Sequence, residues 1–286
     1  MAVYKRSYRA YNGPLTDPLW RFMVLQRYAL KGVFRSRMLL IGYIACFFFP
    51  VMALCLLYLN QNAGILAQIN SKPNFVKVDG NFFLVFLQIQ GALAGLVTAF
   101  VGPSLVAPDL TNGALPLYLS RPISRTEYIA GKGMVLGSLI ASITLIPALL
   151  LFSVQSSLVG YAWFSENLFV ANGILWISLL LMTLLILLGL AMSAWVRWRI
   201  VAGALVLGVF VAGKGFAAVI NAAMRTETGD YLDLQHLLGT IGGNLLHHVA
   251  EDEPVPLYAA WIAILAFCGI LLMLINRKLK VCEAAG

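Results

Sequence analysis

Six stretches of this chain are so long and so apolar that a lipid bilayer is the solvent they fit. They lie at 38–59, 81–107, 134–159, 168–196, 200–222 and 255–275. About 20 helical residues cross a hydrocarbon core of ~30 Å. In lipid every backbone N–H and C=O must bond within the protein, so a spanning segment is a helix or part of a closed barrel. Barrel strands would read as alternating segments of ~10 residues, and none occur. The expectation is an all-α integral membrane protein with six transmembrane helices. Only the fifth stretch carries a charge, Lys214, and only "RWR" (Arg197 to Arg199) separates it from the fourth, which predicts a tight hairpin.

Composition agrees. The 286 residues are 60% hydrophobic and only 11% charged, with a mean hydropathy of +0.85. That leaves no room for a separate soluble catalytic domain. The expected division is a polar N-terminal part, 1–37, followed by the membrane domain, 38–286. The first apolar run follows 37 polar and basic residues, so it does not read as a cleaved leader. Cys46, Cys55, Cys268 and Cys282 show no metal or disulfide spacing, and the first three read as small apolar residues within spans.

Six crossings sort the polar segments onto two sides, and the cations are unequally shared. One side, with both termini, the 108–133 loop and 197–199, holds 16 of the 20 Lys and Arg; the other holds 3. The positive-inside rule places both termini and the 108–133 loop in the cytoplasm, in a cell (inner or plasma) membrane. The net charge of +8 then reflects orientation and contact with anionic lipid rather than nucleic-acid binding. Trp195 and Trp198 at one edge and Trp163 and Trp261 at the other suit interfacial belts.

Residues 17–36 predict a helix lying on the membrane. Asp17 is a candidate N-cap and Pro18 suits the first helical position. Leu19, Phe22, Met23, Ala29, Leu30, Val33 and Phe34 share one arc, with Arg27, Lys31 and Arg35 opposite, the pattern of an interfacial amphipathic helix. In the 223–254 loop, Leu234, Leu237, Leu238, Ile241, Leu245 and Val249 have helical spacing. Short amphipathic helices dipping into the outer leaflet are expected there. That loop also holds His236, His247 and His248, followed by Glu251, Asp252 and Glu253. No recognised ligand spacing appears, and a solvated acidic loop is the expectation.

The polar segment between the second and third spans is built to be stiff. Pro108 and Asp109 suit a first helical turn, where proline costs no hydrogen bond and a carboxylate meets the positive end of the dipole. Pro116 limits that helix to one or two turns. Arg121 and Pro122 turn the chain. "SRTE", Ser124 to Glu127, is a capping box that starts the third span, with Tyr128 and Lys132 on its first turns. Such a segment can pass a push from a cytoplasmic partner into the bilayer.

Over the 26 residues from Ala107 to Lys132, "APDLTNGALPLYLSRPISRTEYIAGK", the chain resembles the cytoplasmic loop of type-2 ABC transporter permeases. The likeness extends to the six-span layout, the N-terminal interfacial helix and the outer-leaflet segment before the last span. It implies that Asp109, Leu110, Thr111, Asn112, Gly113 and Ala114 form a coupling helix that docks on a separate ABC ATPase subunit. Arg121, Pro122, Ser124, Arg125, Glu127, Tyr128 and Lys132 would join that helix to the third span. It also implies a second permease copy or paralogue, with ATP and Mg bound on the partner and no cofactor on this chain. The chain itself has no G-x-x-x-x-G-K-[ST] phosphate loop, so it is not expected to hydrolyse ATP.

Within the spans, Gln88, Gly91, Gly95, Ala99 and Gly102 align on one face, and Gly133, Gly137 and Ala141 recur every fourth residue. Small residues so spaced let helices approach closely. Packing within the protomer is one reading; a dimer seam or translocation path that includes Gln88, Gly91 and Gly95 is the other. Lys214 is either on that path, as charges in spans commonly are, or snorkels outward. Pro50, Pro103 and Pro147 should each interrupt a span. The rival to an exporter is an ATP-independent secondary transporter or channel. Against it stand the lack of paired ionisable residues in the spans and of an inverted repeat.

Overall fold

Prolines and glycines mark several of the helix breaks in this chain. The computed structural model describes residues 21–62, 77–112, 125–196, 198–210, 212–225, 228–247 and 255–284, and among these there is no strand. The helices are α1 (Arg21–Phe34), α2 (Arg37–Ala45), α3 (Phe48–Gln61), α4 (Gly80–Val101), α5 (Ala107–Thr111), α6 (Arg125–Ile143) and α7 (Leu145–Val159). They continue with α8 (Tyr161–Glu166), α9 (Leu168–Trp195), α10 (Arg199–Phe210), α11 (Gly213–Met224), α12 (Leu234–Leu245) and α13 (Leu257–Ala284).

Among the described residues five helices are long and apolar enough to cross a membrane: α2 with α3, α4, α6 with α7, α9 and α13. The fifth stretch of the sequence is not a straight span. It is the pair α10 and α11, bent by 52° where they meet, and it brings the number to six only if the bent pair counts as one crossing.

At Pro50 the freed carbonyl finds a partner on a neighbouring helix. The ring of Pro50 is incompatible with a helical bond to the carbonyl four residues earlier, that of Cys46, and the helix breaks at Cys46 and Phe47. The Cys46 carbonyl instead accepts from Gln90 Nε2 of α4 at 3.4 Å. Pro147 coincides with the break between α6 and α7 at Thr144, whose hydroxyl donates to the Ile140 carbonyl at 2.9 Å. Pro103 lies in a 3₁₀ turn, Gly102–Ser104, that ends α4.

Helix α9 is the centre of the bundle, with α4, α6, α10, α12 and α13 packed around it. About 61% of its most apolar window is buried in protein, against 17% for α2–α3 and 22% for α13, which are therefore peripheral. Small residues set the approach of its neighbours. Gly133 and Gly137 of α6 lie against Ile186 of α9, and Gly102 meets the backbone of Gly189. The repeated small residues of the third span thus serve packing within the chain.

Both amphipathic segments place part of their apolar sides against the bundle. In α1, Val33 is buried and Gln26 Nε2 donates to the Met134 carbonyl of α6, so part of the apolar arc faces protein. Arg27, Lys31 and Arg35 are exposed. In α12, Leu234, Leu237, Leu238 and Ile241 are buried against the bundle rather than turned to lipid. Asp233 caps this helix by accepting from the Gln235 N–H at 3.0 Å. Asp17, Pro18, Val249, His248 and the Glu251–Glu253 acidic run lie outside the described residues.

Candidate functional site

At the end of the bundle where α4 finishes, a five-residue helix is tied down by two neighbours. Pro108 and Asp109 occupy the first turn of α5, as the helix-start reading expects. The Asp109 carboxylate accepts from Tyr128 Oη at 2.8 Å and pairs with Lys132 Nζ at 2.8 Å, both on α6. Tyr128 is 1% exposed and Lys132 7%, and the ammonium lies 5.7 Å from the tyrosine ring centroid. Three residues of the sequence motif therefore meet in one buried cluster. It bridges the two helices that flank the 113–124 segment.

The second tie comes from Ser193 of α9, which the sequence reading did not single out. Its hydroxyl oxygen accepts from the N–H groups of Val106 and Ala107, at 3.1 and 2.9 Å, and it approaches the Pro103 carbonyl at 3.3 Å as donor. The first N–H groups of a helix have no partner within it; here a side chain from the central span supplies one. No local pattern marks Ser193, because its partners are about ninety positions away in the chain. Replacing Ser193 by Ala leaves two buried N–H groups unpaired and should cost about 2 kcal/mol. A fall of several degrees in the melting temperature of the detergent-purified chain is the expected reading, and no shift would remove this tie.

The other motif residues fall in three groups. Thr111 and Asn112 are exposed at the end of α5, where the Thr111 hydroxyl donates back to the Ala107 carbonyl. Leu110 and Arg125 lie on α5 and α6, and Glu127 is half-buried on the first turn of α6. Gly113, Ala114, Arg121, Pro122 and Ser124 are outside the described residues. The same end of the bundle carries Trp195, whose Nε1 donates to the Leu274 carbonyl at 3.1 Å, with Lys278 over its ring.

Toward the other end, where α4 begins, a cavity of about 340 Å³ lies between α4, α9, the α10–α11 bend and α12. Gln88, Gly91 and Lys214 line it, joined by Asn81, Gln235 and His236. Its remaining wall is mostly leucine and isoleucine with Phe210. Gly95 is not part of it: a Cβ there would sit 2.5 Å from the Phe210 ring, so Gly95 serves the packing of α4 on α10. The small-residue face of α4 therefore divides, with Gln88 and Gly91 on the cavity and Gly95, Ala99 and Gly102 against neighbouring helices.

The bend explains the place of Lys214. It is the second residue of α11, beside the break rather than near the end of a straight span. The two described histidines are not gathered. His236 stands on the cavity wall, whereas His247 stacks on Phe169 with ring centroids 4.4 Å apart. Among the described residues no group of three or more His, Cys, Asp or Glu could hold a metal ion. Compared with models of known protein families and with characterised proteins, the chain matches none.

Proposed function

We propose that this chain is the permease subunit of an ABC exporter, with α5 as the helix that receives the push of a separate ATPase. The observation that carries the reading is the double anchoring of α5. Asp109 fixes it to α6 through Lys132 and Tyr128, and Ser193 fixes its start to α9. A displacement of α5 is thereby passed to two spans at once, which a loosely tethered loop would not do. On this reading α10 and α11 form one bent crossing, both termini are cytoplasmic, and α1 lies at the inner headgroups with Arg27, Lys31 and Arg35 toward lipid. A second permease completes the translocation path, and two ATPase subunits bind ATP and Mg.

Asp109 is internal to this arrangement, so the docking surface on α5 consists of its exposed end, Thr111 and Asn112. Arginine at either position adds bulk and charge to a solvent-facing site, where substitutions change stability little. Affinity-tagged Thr111→Arg and Asn112→Arg chains should lose an ABC-type ATPase that the unmodified chain brings down from its native membranes. Their melting temperatures should stay within about 2 °C of the parent. Undiminished ATPase recovery with both variants, or no ATPase with the parent, would sink the reading.

A further inference from the structure

The cavity beside the α10–α11 bend combines features that a merely imperfect bundle would not retain. Gln88 is eight residues into α4, about 12 Å along the helix from its start, and it is exposed, as is Lys214. In a hydrocarbon environment an exposed amide and an exposed ammonium are costly. Both line the same cavity. Asn81 and Gln235 add donors from two further positions on the wall.

The charge in this cavity is of one sign. Its lining contains no Asp or Glu, and among the described residues Lys214 makes no ion pair. Two acidic groups precede α12: Asp230, which accepts from Asn221 Nδ2 of α11 at 3.0 Å, and Asp233, which is buried and accepts from the Gln235 N–H. The polar groups share the cavity with Leu84, Leu87, Ile177, Leu181 and Phe210. An ammonium that shares a cavity with the amides of Asn81, Gln88 and Gln235 suits an oxyanion; an apolar wall on the same volume suits hydrocarbon attached to it. About 340 Å³ accommodates a small headgroup with the first part of a chain, not a whole lipid.

We propose that this cavity binds an amphipath with an anionic phosphate headgroup, seated on Lys214 and hydrogen-bonded by Gln88 and Gln235, with its hydrocarbon along the leucine-rich wall. The assignment deepens the permease reading, because a site of this kind in a permease is a cargo or regulatory lipid site. The binding itself needs no ATPase.

The test is titration of the purified full-length chain with dioctanoyl phosphatidylglycerol, followed by calorimetry. One molecule should bind per chain, and Lys214→Gln should weaken it about ten-fold or more, as loss of a charge-assisted contact implies. Gln88→Leu, which keeps the size and removes the amide, should weaken it several-fold. Lys214→Arg should retain binding to within about three-fold, since the charge stays. A triple Arg27, Lys31 and Arg35 to Gln chain should bind like the parent, which separates this site from nonspecific attraction to basic residues. Equal affinity for dioctanoyl phosphatidylcholine, unchanged affinity in Lys214→Gln, or loss in the triple variant would each overturn the site. Displacement by inorganic phosphate at the same concentration would overturn the amphipath and leave a free-anion site. Loss of the ATPase interaction in the α5 variants would leave all these outcomes untouched, so the two readings fail separately.

Discussion

Lys132→Met should lower the melting temperature of the purified chain by about 6–12 °C, corresponding to roughly 3 kcal/mol. The methionine fills most of the same volume, so the loss is electrostatic. It strands the Asp109 carboxylate, whose side chain is only 16% exposed, with a single neutral donor. Removing one member of a buried pair is far costlier than exchanging both, because the survivor keeps its desolvation and loses its partner. Adding Asp109→Asn to Lys132→Met should therefore recover part of the loss, and Tyr128→Phe alone should cost about 1 kcal/mol. Additive losses in the double variant would show that the two groups do not act as a pair. The same experiment bears on function. Under the proposed permease role, a chain in which α5 is loosened from α6 should still meet an ATPase through Thr111 and Asn112, yet transmit less of the movement. Binding and transport would then separate, with binding kept and cargo movement reduced.

How far the sequence foretold this molecule can be read residue by residue. The apolar stretches were legible because lipid imposes one solution on backbone hydrogen bonds, and the proline breaks were legible because Pro50, Pro103 and Pro147 act locally. The start of α5 was legible in Pro108 and Asp109 for the same reason. What was not legible is whatever depends on a distant partner. Asp109 read as a residue facing the helix dipole or a docking partner, but Lys132 is two turns into another helix and claims it. Ser193 carried no signal, because a serine in an apolar span usually bonds back to its own helix. The small-residue face of α4 showed that something would come close without showing what: a helix at Gly95 and Gly102, a cavity at Gln88 and Gly91. The bend at α10–α11 was masked by an apolar run that, Lys214 apart, reads as one straight span, although Gly208, Gly213 and Gly215 cluster about the break.

Gly203→Val should be the most damaging glycine replacement in α10. A Cβ at Gly203 would stand 2.5 Å from the Ala99 carbonyl oxygen of α4. The obstacle is backbone, so no rotamer change relieves it, and the two helices must move apart. Overpacking of this kind costs up to about 3 kcal/mol, a drop of about 6–12 °C for a chain of this size. Gly208, on the same helix, has nothing within 4 Å of its missing Cβ. Gly208→Ala should therefore hold or raise the melting temperature, since alanine is favoured over glycine in a helix by up to ~1 kcal/mol. Separation of α4 from α10 also moves Phe210 relative to Gly95 and widens the wall that carries Gln88 toward Lys214. Gly203→Val should accordingly weaken phosphatidylglycerol binding at temperatures where it is still folded, and Gly208→Ala should not. If both variants melted and bound alike, the close approach of α4 and α10 would not be what shapes the cavity.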